Sequence, residues 1–115
     1  MNKYIDVAEK IDSPSALTQD MGDIIYKEIF NSIQNKIIIH VDFANVESII
    51  TPFLNNAIGQ LYKDFTSEEI KEYLVLDNFP SAKIAALNVV ITNAKKYYQN
   101  KAAYEKAVKE VINVE

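Results

Sequence analysis

Four kinds of side chain in this sequence have the type and setting to do chemistry. Asp42 and Asp77 each follow an apolar, strand-like run, Ile37–Val41 and Tyr73–Leu76. In an open α/β sheet both carboxylates would reach the carboxyl edge, where ligands bind. Two carboxylates there can hold Mg²⁺ or work as an acid–base pair. They can equally bond the turns after their strands, since Asp-Phe-Ala-Asn and Asp-Asn-Phe-Pro are turn sequences, and that reading weighs more. His40 is the only histidine and lies inside an apolar run. With no cysteine beside it, a transition-metal site would need carboxylates for every other ligand, so a packed histidine is the simpler reading. Tyr97, Tyr98 and Tyr104 stand near lysines and can stack on bases, but at helical spacing tyrosines more often bury their rings.

Thr51-Pro52 is the fourth feature. A hydroxyl followed by proline predicts a helix start, with Thr51 as the N-cap and Pro52 in the first helical position.

The elements that must position these groups are legible from hydrophobic period. Tyr4–Val7 reads as a first strand, interrupted by Asp6, and Ser13-Pro14-Ser15 as a turn. From about Asp20 to Asn35 a helix is predicted, because Met21, Ile25, Ile29 and Ile33 recur every four residues. Lys36–Phe43 is β-branched without alternation, which predicts a strand covered on both faces. Ala44–Ile50 is a connection with an extended stretch at Ser48–Ile50. The helix after Thr51 carries Phe53, Leu54, Ala57, Ile58, Leu61 and Phe65 on its apolar side. Thr66-Ser67-Glu68-Glu69 opens a short helix, since acids suit a helix N-terminus. Tyr73–Leu76 is a further strand. Pro80 and Ser81 open a long helix with Ile84, Leu87, Ile91, Ala94 and Tyr98 at helical spacing. Asn100 is expected to break it, before a final amphipathic piece using Tyr104, Ala107, Val108 and Val111.

This order predicts one α/β domain over residues 1–115. It should have a largely parallel or mixed sheet of three to four strands joined by crossover helices. The core is expected to include Ile25, Ile29, Ile38, Val41, Leu54, Ile58, Leu61, Leu74, Leu76, Leu87 and Ile91.

Composition narrows the function. The 115 residues include no cysteine, which excludes disulfides and thiol catalysis. All twelve basic residues are lysine, so the planar fork that reads phosphate or guanine is missing. Net charge is −4, and the five lysines of the last 21 residues share that stretch with three acids. Nucleic-acid binding is therefore not expected. The charged N-terminal stretch has no signal-peptide core and the apolar runs are too short to span a bilayer, so a cytoplasmic protein without a membrane partner is expected. No phosphate-cradling glycine loop, nucleophile elbow or His-Glu metal motif occurs, and no cofactor is expected.

The stretch Ile39 to Leu61, IHVDFANVESIITPFLNNAIGQL, adds a more specific pattern. An apolar strand ends in Asp-Phe, Val46 follows three residues on, then an Ile-Ile pair, a hydroxyl at a helix start, and a Phe-Leu-Asn helix containing Gly59. Gly22 and the strand Tyr73–Asp77 extend it. The chain resembles the STAS-like family of small bacterial domains, related to the STAS domains of anti-sigma-factor antagonists. The resemblance implies an α/β interaction module, not an enzyme, that partners a histidine-kinase-type ATPase and is switched by phosphorylation of a serine or threonine at a helix start. That position falls on Thr51 or Pro52. Proline cannot be phosphorylated, which leaves Thr51, with Ser48 a distant second. A phosphate there would put about −1.5 to −2 charges into a docking surface, where it can repel a partner. The docking surface would run from Asp42 through Asn45 and Ser48 to Thr51, and along the exposed side of the Pro52–Lys63 helix with Asn55, Asn56 and Gln60. Two other readings compete. One is a small nucleotide-binding or hydrolytic protein using Asp42, Thr51 and Asp77, and the other is a structural, oligomerising subunit.

Overall fold

The structure is a computed structural model that describes the backbone of residues 1–113 and the side chains of residues 1–98. Its first strand, β1 (Asn2–Asp6), runs directly into α1 (Val7–Ile11). Asp6 is the reason: its side chain accepts a hydrogen bond from the Glu9 N–H and caps the helix. The residue expected to interrupt the strand thus ends it, and Val7 is helical. Asp12 closes α1 in the left-handed conformation. Two residues, Ser15–Ala16, then form β2 where only a turn was expected.

Helix α2 (Gln19–Gln34) is capped by Thr18, whose hydroxyl accepts from the Met21 N–H. Its predicted stripe is buried at Ile25, Ile29 and Ile33. Burying each such side chain stabilises the fold by about 1.5–3 kcal/mol. Asn35 ends the helix as expected, and Lys36 turns the chain at φ 58°.

Strand β3 (Ile38–Asp42) lies between β1 and β5 (Leu74–Asp77), and both pairings are parallel. A second, two-stranded parallel ladder joins β2 to β4 (Ser48–Ile49). The fold is therefore α/β with small parallel sheets, as the element order predicted. β3 is not covered on both faces, however. Ile39 and Val41 are fully buried, while Ile38 and His40 on the opposite face are only half-buried.

Beyond β4, α3 (Thr51–Ala57) stops at Ile58, and a 3₁₀ turn over Gly59–Lys63 follows instead of one continuous helix. α4 (Ser67–Tyr73) has the predicted start in full. Thr66 accepts from the Glu69 N–H, and the Glu69 carboxylate accepts from the Thr66 N–H. Tyr73 ends this helix instead of opening β5. A 3₁₀ turn at Ser81–Lys83 leads into α5 (Ile84–Asn113), whose backbone stays helical through Asn100. The face assigned to Tyr104, Ala107, Val108 and Val111 lies outside the described side chains.

The buried side chains form one cluster in which Phe43 and Phe53 are the largest wholly enclosed residues. Of the predicted core, Ile25, Ile29, Val41, Leu54, Ile58, Leu61 and Leu87 are buried. Ile38, Leu74, Leu76 and Ile91 are only half-buried.

Candidate functional site

The segment holding Thr51 is fixed by the small ladder. Pro14 O accepts from the Glu47 N–H at 2.7 Å, Ser15 and Ala16 pair with Ser48 and Ile49, and Ala16 O accepts from the Ile50 N–H at 3.1 Å. From this ladder both chains turn at once into helices, so α2 and α3 begin side by side. Gly22 permits their close packing. A Cβ built there would lie 2.6 Å from Phe53 O and 2.8 Å from Asn56 Cβ.

The same ladder corrects the expected capping role of Thr51. Because the Ile50 N–H is spent on Ala16, Ile50 stays extended (φ −125°, ψ 164°) and is itself the N-cap, with no side-chain cap bond. Thr51 is already the first helical residue and Pro52 the second. The Thr51 side chain is exposed, and its hydroxyl takes part in none of the hydrogen bonds among the described residues. Beside it stand two apolar side chains that the sequence reading passed over, Leu17 and Ile50, each 41% exposed. Nothing local in the sequence marks them, since their exposure follows from the ladder.

The other predicted site residues divide. Asn45 and Ser48 are exposed on the loop and on β4, but Asn45 donates to Asp6 Oδ2 at 2.7 Å and so ties the loop to β1. Asn55 is exposed and borders an open groove of about 250 Å³, walled on the other side by Asn93, Ala94, Tyr97 and Tyr98 of α5. Asn56 and Gln60 are half-buried and line the same groove, but their side chains are engaged. Both side-chain amides donate to Asp23 Oδ1 at 2.9 Å, anchoring α3 and the following turn to α2. Asp23 was missed because a single acid on a helix face carries no signal of its partners.

The carboxyl edge of the large sheet brings Asp6, Asp42 and Asp77 into one register row. Asp42 Oδ1 accepts from the Asn78 side-chain amide and the Ala44 N–H, both at 2.9 Å. The Asn78 bond first, then the Ala44 bond, hold its carboxyl below the usual aspartate range. Such a group is a poor general base near neutral pH. Among the described residues the Asp77 side chain bonds no turn, contrary to the sequence reading. His40 Nδ1 donates to its Oδ2 at 3.1 Å, and the His40 ring stacks on Tyr4 with centroids 4.4 Å apart. The Asn2 side-chain amide lies 3.4 Å from His40 Nε2. Among the described residues no three His, Cys, Asp or Glu side chains converge to hold a metal ion, and no helix is long and apolar enough to cross a membrane.

No curated protein and no solved structure matches this sequence. Residues 22–81, just over half of the chain, match the family described as a STAS-like domain of unknown function. The match opens at the glycine that lets α2 meet α3 and closes just after β5, so it takes in β3, β4 and Thr51 but not β2 or Leu17, and the chain belongs to this STAS-like family.

Proposed function

We propose that the domain is a regulatory protein-interaction module whose docking face surrounds Thr51, and that phosphorylation of Thr51 switches it. The partner in this reading is a kinase-like ATPase. It transfers the terminal phosphoryl group of ATP to Thr51 Oγ1: the Oγ1–P bond forms as the bond from that phosphorus to the β-phosphate oxygen breaks, ADP leaves, and the hydroxyl proton passes to a base of the ATPase. Such a module works in the cytoplasm, where ATP is available. One observation carries the reading: the Thr51 hydroxyl is exposed at the start of α3, beside Ile50, with no structural bond of its own among the described residues. The competing use of this side chain, as a helix cap, belongs to the backbone geometry of Ile50 instead. The reading is non-catalytic for this chain. Its support is that Asp6, Asp42 and Asp77 are each engaged in hydrogen bonds that fix turns or neighbouring strands.

The test joins mass spectrometry to binding. Protein purified from its native cells is expected to carry a phosphate that maps to Thr51. Thr51→Ala should change stability by no more than about 0.5 kcal/mol, as for other surface positions that cap nothing. Thr51→Asp should keep stability yet alter affinity for kinase-like ATPases captured from the same cells. An absence of phosphorylated species, with equal binding by wild type, Thr51→Ala and Thr51→Asp, would sink the switch.

A further inference from the structure

The two segments that meet at the small ladder, residues 11–26 and 37–62, contain no lysine although the chain has twelve. They hold Asp12, Asp20, Asp23, Asp42 and Glu47. The rest of the chain sets twelve lysines against eleven acids, a balance of +1, so the five acids of these segments more than account for the net charge of −4. The β2–β4 ladder and the packing of α2 on α3 gather them into one region of the molecule. Glu47 is next to the ladder and Asp20 lies in the first turn of α2; both are exposed, as are Leu17 and Ile50.

We infer that the partner of the Thr51 face presents a basic surface with an apolar projection. The inference rests on the docking reading given above and adds the partner's chemistry and the sign of the switch. Charge complementarity is the argument: an electronegative face draws a cationic protein surface and repels phosphate polymers and anionic lipid. Leu17 and Ile50 supply the apolar contact that charge alone lacks. Neither segment contains a lysine or arginine to neutralise a phosphate on Thr51. The added charge therefore reinforces the field that draws a basic partner, and phosphorylation strengthens docking. This reverses the repulsion expected from the sequence.

The experiment titrates the ¹⁵N-labelled full chain with a short amphipathic peptide of leucine and lysine, and with its leucine–glutamate analogue. Shifts should centre on Ser15–Thr18 and Glu47–Thr51 with the lysine peptide and be absent with the glutamate one. The double variant Asp20→Asn, Glu47→Gln should weaken binding up to about tenfold, and raised salt should do the same. Thr51→Asp should tighten it about two- to fivefold. Equal binding of both peptides, or shifts centred on the Asp6–Asp42–Asp77 row, would overturn the inference. Weaker binding by Thr51→Asp would overturn it too, while leaving Thr51 a switch. Unchanged binding by Thr51→Asp counts against the switch alone.

Discussion

At the scale of single residues, the best-placed charge is Glu28 on α2. Its carboxylate accepts from Lys10 Nζ at 2.7 Å and from Lys3 Nζ, joining α1 and β1 to α2. The Lys10 bond first, and then the Lys3 bond, hold its carboxyl below the usual glutamate range. A carboxyl depressed in the folded state binds its proton at lower pH than in the unfolded chain. Its contribution is therefore present above the ordinary glutamate value of about 4.3 and is lost as pH falls through the folded value. Denaturant melts repeated across the acid range should show stability falling below about pH 4.5, with a shallower slope in Glu28→Gln. An identical slope in the variant would remove Glu28 from the account.

At the scale of elements, the decisive contact is the crossing of α2 and α3. A methyl group on Gly22 would enter the space of a backbone oxygen, which no side-chain rotation can relieve. Gly22→Ala gains helix propensity of up to about 1 kcal/mol. The overlap should cost more, leaving a net loss of about 1–3 kcal/mol by chemical denaturation. The same crossing also aligns the starts of both helices. Partner binding by Gly22→Ala should therefore fall even where most of the protein remains folded. A variant as stable as wild type would mean that the helices can separate freely.

At the scale of the whole molecule, β3 is the strand hydrogen-bonded on both sides, and its inward residues Ile39 and Val41 are fully buried. Amide exchange should be slowest there, with β1 and β5 less protected as edge strands. Fast exchange at Ile39 and Val41 would contradict the strand order. This architecture was legible because the α2 stripe repeats every four residues and the β-branched run of β3 fits little else. The open outer face of β3 was not legible, since Ile38 looks as apolar as Ile39 and only His40 breaks the run. α1 was hidden because Asp6 serves as both strand end and cap. The role of Thr51 was misread for a non-local reason: whether Ile50 or Thr51 enters the helix first depends on Ala16 across the ladder. Asn56 and Gln60 likewise point where Asp23 draws them, which their own spacing does not reveal.

The ladder between β2 and β4 also has a kinetic consequence. Its partners Ser15 and Ser48 are 33 positions apart, and the pairing covers only two residues on each side. So short a ladder cannot offset the entropy of closing that loop until α2 and α3 have already docked. The face around Thr51 is accordingly among the last features to assemble and among the first to open. A peptide containing Thr51 alone would lack Leu17 and Asp20, so in the proposed docking reading a partner that requires both segments would sense a completed fold and ignore nascent or damaged chains.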